Sequence, residues 1–210
     1  MSLKRYENPE EIEPRRYSIE EYFELEANSE TKHEYYDGLI VECAYTSENH
    51  GRIVSNFTRL LGNCLEHTDC DVFTSDRMVY VALCNKFFYP DLTVVCGERQ
   101  YYQYSKNMKA TTNPSVLIEV LSHYTESNDK VEKWRCYRKL KSLKQYVLVD
   151  QDFKYIEIYE RNEKGRWVAN VYEEEDDMLK IGDCEIYLND IYLKVDLIEP
   201  NAASDSTFSE

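Results

Sequence analysis

The stretch that decides how this chain is read is Ser115 to Ser122, "SVLIEVLS". Five apolar residues surround one carboxylate, and the run has the length and content of a buried strand. Alternation puts Val116, Ile118, Val120 and Ser122 on one face, and Leu117, Glu119 and Leu121 on the other. No polar stripe is there to accept Glu119. An ionised carboxylate at such a place costs several kcal/mol unless its charge is compensated.

A partner stands upstream. Asp91 follows Pro90 at the head of another apolar run, "DLTVV", with one polar connection between the two. Neighbouring strands lie about 4.8 Å apart, so side chains from both can converge. Two carboxylates held that close need a proton or a cation. A hard divalent ion such as Mg²⁺, with Mn²⁺ as a substitute, suits oxygen ligands of this kind.

The rest of the chain reads as helix, strand, helix, several strands, helix, strands. Ser18 and Glu21 form a capping box that starts a helix ending around Thr31 to Glu34. Asp37-Gly38 turns the chain into a strand over Leu39 to Tyr45. "HGRIVSNFTRLLGNCLEH" places Ile53, Phe57, Leu60, Leu61, Cys64 and Leu65 at helical spacing. "DVFTSDRMVYVAL", broken at Ser75-Asp76, and "FFYPDLTVVC" read as strands, and "RQYYQYSKNMKATTNP" as a polar connection. "ESNDKVEKWRCYRKLKS" reads as a third helix with a stripe of Val131, Trp134, Tyr137 and Leu140. Strands at "QYVLVD", "YIEIYER", "WVANVYEEE" and "CEIYLNDIY" close the domain. This is an α/β or α+β plan around a mixed sheet.

Composition narrows the classes. The 210 residues suit one domain: an N-terminal extension over 1–16, the folded unit over 17–198, and a small polar, disordered tail over 199–210. No apolar stretch approaches the roughly 20 residues that span a bilayer, and "MSLKRYENPEEIEPRRYS" lacks the apolar core of a signal peptide. A cytoplasmic, non-membrane protein is expected. The seven cysteines include no Cys-x-x-Cys pair and read as buried reduced thiols. A net charge of −15 argues against non-specific nucleic-acid binding. The charge is uneven, however: "KVEKWRCYRKLKSLK" has basic residues at 130, 133, 135, 138, 139, 141 and 144, with Glu132 alone opposing them. His50 reads as an exposed helix-start residue, and neither it nor His33 is assigned chemistry.

Several segments also follow one another in a familiar order. "KHEYYDGLI", "ENHGRIVSNFTRLL", "VFTSDRMVYV", "YPDLTVVC", "IEVLS", "DKVEKWRCYRKLKSLKQYVLVD" and "IEIYER" resemble the Uma-type family of putative restriction endonucleases, within the PD-(D/E)XK nuclease-like superfamily. The likeness spans about residues 17 to 193. It implies a restriction-endonuclease-like α/β fold: a mixed central β-sheet flanked by α-helices, with a metal-dependent site on the sheet. By that resemblance Asp91 matches the Asp of "PD", Glu119 the acidic residue of "(D/E)xK", and Glu34 an acidic residue before the first strand. The lysine of the motif should stand at 121, where this chain has Leu121. Lys133 matches a basic position on the following helix that could reach in instead, and Gln145 is a weaker candidate.

The implied activity is Mg²⁺-dependent hydrolysis of DNA. Asp91, Glu119, the main-chain carbonyl of Val120 and Glu34 would hold the metal, Lys133 would stabilise phosphoryl charge, and two copies would pair as a homodimer. A second reading keeps the fold as an inactive binding or scaffold module, favoured by Leu121 and the acidic charge. Glycoside hydrolysis by paired carboxylates is a third, weakened because the 19 tyrosines are spread over the strands.

Overall fold

Ser18 starts the first helix in the manner its sequence requires. Its hydroxyl accepts the Glu21 N–H while the Glu21 carboxylate accepts the Ser18 N–H, at the head of α1 (Ile19–Asn28). The computed structural model describes residues 15–122, 126 and 128–198. The tail expected over 199–210, and nearly all of the extension expected over 1–16, lie outside the described residues.

After α1 come β1 (His33–Tyr36) and β2 (Leu39–Glu42), turned by Asp37 and Gly38 at φ of 48° and 103°. Asp-Gly suits a two-residue hairpin whose central positions need positive φ. α2 (Glu48–Leu65) leads to β3 (Cys70–Thr74) and β4 (Val79–Val81), and Ser75-Asp76 separates the two strands. Then follow β5 (Lys86–Phe88), β6 (Leu92–Cys96), β7 (Tyr101–Gln103), β8 (Lys109–Thr111) and β9 (Val116–Leu121). π-Helical turns over Asn128–Lys133 run into α3 (Trp134–Tyr137). The described chain ends with β10 (Gln145–Asp150), β11 (Ile156–Arg161), β12 (Trp167–Tyr172), β13 (Met178–Ile181), β14 (Cys184–Tyr187) and α4 (Leu188–Ile191).

Among the described residues these strands form two six-stranded sheets and a separate β13–β14 hairpin. The central sheet has the order β12-β11-β10-β9-β6-β3. β9 and β10 are parallel in it and the other neighbours antiparallel. The second sheet has the order β2-β1-β5-β4-β8-β7. A mixed, helix-flanked α/β architecture is therefore what the chain builds.

Alternation along β9 divides the core as expected. Val116, Ile118 and Val120 pack with Ile53, Phe57 and Leu61 of α2 and with the β13–β14 hairpin. Leu117 and Leu121 pack on the other face with Val79, Val81 and Phe88 of the second sheet and with Tyr137 of α3. The far face of the second sheet buries Tyr22 and Phe23 of α1 against Tyr35 and Phe87.

Four expectations are corrected. "FFYPDLTVVC" is two strands on different sheets, broken at Tyr89–Asp91, where Pro90 has no N–H to continue a ladder. The supposed polar connection contains the antiparallel pair β7–β8, because Ala110 is buried and Tyr102 and Tyr104 stack on Phe23. The third helix opens with wide π turns that leave Val131 45% exposed and bury Asp129 and Lys133 in its place. Its inward stripe is thus 129, 133, 137 and 140.

Six of the seven cysteines, finally, are paired: Cys64–Cys184, Cys70–Cys96 and Cys84–Cys136, with Cys43 free. Cys70 and Cys96 are direct cross-strand partners on β3 and β6, and the other two pairs join elements far apart in sequence. Spacing along the chain carries no sign of such pairings.

Candidate active site

The C-terminal end of β9 opens into a cavity of about 750 Å³. Four buried or half-buried carboxylates converge at its floor, Glu34, Asp91, Glu119 and Asp129, and Asp37, Glu42 and Glu132 line it further out. Each of the four is placed there by a separate element. Glu34 shares a face of β1 with Tyr36. Asp91 stands at the head of β6, Glu119 near the end of β9, and Asp129 in the π turns.

The register explains why Asp91 and Glu119 meet one cavity. β6 and β9 pair with Leu92 opposite Ile118, so one step further brings Asp91 level with Glu119. Asp91 Oδ2 accepts the N–H of Val120 at 2.8 Å, which fastens the carboxylate to the neighbouring strand. Val120 itself lines the cavity.

Lys133 gathers the carboxylates. Its ammonium donates to Glu119 Oε1 at 3.1 Å and pairs with Glu34 Oε1 and Asp129 Oδ1, each also at 3.1 Å. Tyr137, one helical turn on, donates its hydroxyl to the same Glu119 oxygen at 3.0 Å. Glu34 is held in turn by the Tyr89 N–H at 3.1 Å and the Tyr36 hydroxyl at 2.5 Å, and Asn128 steadies Tyr36. Glu119 is 3% exposed and Lys133 6%.

Charge in this enclosure is unbalanced. Burial pushes the Glu119 carboxyl well above the usual carboxylate range; Lys133 opposes the shift, while Asp129, Asp91 and Glu34 add to it. Burial alone would lower the Lys133 ammonium, but Glu119, Glu34 and Asp129 overcome it and hold the lysine protonated well above its ordinary range. At the floor of the cavity the Lys133 ammonium meets Glu34, Glu119 and Asp129, and His50 meets Asp91, so carboxylates outnumber their partners. A proton or a further cation completes such a site.

Among the described residues no three His, Cys, Asp or Glu side chains already stand together as a metal-holding set. The donor set nevertheless fits a hard cation: carboxylate oxygens in excess, a strand backbone beside them, and a cavity with room for water. Lys133 occupies the Glu119 oxygen that a cation would share.

The sequence-derived candidates are therefore brought together in the main. Glu34, Asp91, Glu119, Val120 and Lys133 all line the cavity. Leu121 packs in the core behind it, and Lys133 reaches Glu119 from the helix. Gln145 is not part of this site. It opens β10 at the opposite end of the sheet, donating to the Lys180 carbonyl at 2.9 Å and accepting the Gly182 N–H at 2.7 Å. His33 contacts Glu26.

His50 overturns its reading as exposed. It is 8% exposed, and its Nε2 stands 3.1 Å from Asp91 Oδ2. Asp129 and Tyr137 were also unassigned; their spacing to Lys133, four residues on either side, is the signal that could have found them.

The rim carries basic groups in an otherwise acidic molecule. Lys86 pairs with Glu132 there, and Lys139 Nζ lies 3.4 Å from Cys84 Sγ. Lys86, by hydrogen bond, holds the Glu132 carboxyl below its usual range, with Arg135 and Lys139 contributing.

Comparison with known proteins gives the family and the fold. The family model Uma2, "Putative restriction endonuclease", matches residues 19–185. The uncharacterized proteins slr1290 and sll1609 of Synechocystis sp. are each 33% identical over 159 and 148 residues, spanning 76% and 70% of this chain and 82% of each relative. The crystal structure of a "putative nuclease" from Anabaena variabilis has the same fold, with a TM-score of 0.65 and 19% identity over 84% of this chain and 97% of that one. With the motifs in order and the acidic cluster on the sheet, the chain belongs to the Uma2 family of putative restriction endonucleases.

Proposed function

We propose that this protein is a metal-dependent endonuclease that hydrolyses phosphodiester bonds in DNA. One observation carries the reading: the Lys133 ammonium sits on Glu119 in a cavity that Asp91 and Glu34 also line. In that arrangement Asp91, Glu119 and the Val120 carbonyl would hold Mg²⁺ or Mn²⁺, with Glu34 joining directly or through water. The bound cation would polarise the scissile phosphate and lower the pKa of a water molecule. Lys133 would neutralise charge developing on the phosphoryl oxygens, at a place where burial makes such stabilisation strong. Tyr137 and Asp129 keep Lys133 and Glu119 in line. Arg135 and Lys139, near the rim, would lend the phosphate backbone a local positive approach.

Supercoiled plasmid incubated with Mg²⁺ or Mn²⁺ tests this. Wild type should nick it, and Asp91→Ala and Glu119→Ala should not. Cleavage that survives both substitutions would refute the assignment. A second reading, a retained fold without catalysis, is favoured by Leu121 at the motif's lysine position and by the net charge of −15; intact folded protein that binds no Mn²⁺ at millimolar concentration selects it.

A homodimer in which each copy addresses one strand completes the proposal, and sedimentation measures it. No helix among the described residues is long and apolar enough to cross a membrane. A cytoplasmic address belongs to the same reading, although three disulfides are unusual where thiols are kept reduced.

A further inference from the structure

Asp91 makes two contacts among the described residues, and both fall on one oxygen. Val120 donates its N–H to Oδ2 at 2.8 Å, and His50 Nε2 stands 3.1 Å from that same atom. Neither this hydrogen bond nor this ion pair, the two polar contacts of Asp91 among the described residues, uses Oδ1.

His50 is itself held firmly. Its N–H is capped by the Ser47 hydroxyl at 3.1 Å, and Ser47 in turn donates to Gln151 Oε1 at 2.7 Å. The Gln151 N–H donates to the Leu121 carbonyl at 3.3 Å. The start of α2 is thereby tied to the ends of β9 and β10, on either side of the cavity. His50 also opens the buried stripe of Ile53, Phe57, Leu61 and Leu65. An apolar residue would extend that stripe without the cost of desolvating an imidazole. What the ring adds at this position is its contact with Asp91.

We propose that His50 is a positioning residue for Asp91. It holds Oδ2 toward the helix and the β9 backbone, so that Oδ1 is presented to the cavity as a cation ligand. The inference rests on the reading of the cavity as a metal-dependent nuclease site. Groups that orient a ligating side chain typically change metal affinity or activity by about 10–100-fold when removed.

The test is Mn²⁺ titration by calorimetry on the full chain: wild type, His50→Ala, His50→Gln, His50→Asn and Asp91→Ala, each with a thermal melt and with kcat and KM for plasmid cleavage. His50→Ala should bind Mn²⁺ about 10–100-fold more weakly, with kcat reduced and KM for DNA unchanged. His50→Gln, long enough to bring an amide N–H to Asp91, should restore most of the affinity; His50→Asn, too short, should not. Unchanged Mn²⁺ affinity in every His50 variant, alongside loss in Asp91→Ala, overturns the proposal and leaves the nuclease reading standing. Equal loss in the Ala and Gln variants overturns it too, because a simple packing defect gives that result. Wild type that binds no Mn²⁺ removes the nuclease reading and this inference with it. If His50→Ala does not fold, the Gln and Asn pair decides by the same criterion.

Discussion

The two ends of the β9–β10 pair hold two cavities that differ in kind. The larger, at the C-terminal end, collects Glu34, Asp91, Glu119 and Asp129 around Lys133 and leaves negative charge in excess. The smaller, about 220 Å³ at the N-terminal end, is lined by Ser115, Gln145 and the Cys70–Cys96 bridge. Its two buried polar side chains are spent mainly on the backbone: Ser115 accepts the Cys96 N–H, and Gln145 bonds Lys180 and Gly182. Burial of polar atoms is common to both ends. What separates them is whether the charges and hydrogen bonds close locally, and an unclosed set is where an external cation or substrate has something to gain.

Substitutions at both ends can break that contrast. The largest effect is expected at the acidic end, where Asp91→Ala or Glu119→Ala should reduce plasmid nicking by about a thousandfold or more. Next is stability at the same end. Lys133→Met leaves Glu119 buried without its ammonium and should cost about 3–5 kcal/mol in urea unfolding at neutral pH. That loss has a pH signature. Burial holds the folded Glu119 carboxyl above its 4.5 reference, so the penalty is absent in acid below that value and grows as pH rises toward the folded pKa. Lys133→Met should therefore approach wild-type stability on acidification; a deficit independent of pH would show that the lysine contributes by packing alone.

Changes at the other end should act on stability and spare activity. Replacing Cys70 and Cys96 together by serine opens a cross-link spanning 26 residues and should cost about 2–4 kcal/mol. The matching thiol count in denaturant is one without reductant, from Cys43, and seven after reduction. Smallest of all, Gln145→Ala strands the Lys180 carbonyl and the Gly182 N–H and should cost about 1–3 kcal/mol with unchanged nicking. Loss of nicking in Gln145→Ala at retained stability would erase the distinction between the two cavities.

The sequence carried the acidic pair because strand alternation exposed Glu119 as a misfit and the run after Pro90 supplied Asp91. Lys133 was reachable through the resemblance alone, since Leu121 occupies the motif's lysine position. Asp129 stayed hidden for a physical reason: the π turns shift the start of the helix face, so a regular 3.6-residue count put Val131 inside and Lys133 on the surface, whereas Tyr137 was read on the buried stripe but without its bond to Glu119. His50 looked like a helix-start residue because the chain beyond α2 that buries it comes from β6, 41 residues on (91 − 50 = 41). The β7–β8 strands were masked by polar residues, their core contribution resting on Tyr102 and Ala110. Disulfide pairing depends on the register of β3 with β6 and on helix placement, neither of which is written locally.

The most direct measurement is the anomalous scattering map of a crystal soaked in Mn²⁺. The account predicts a single strong peak between the Asp91 and Glu119 carboxylates. A map without a peak between those two carboxylates would contradict it.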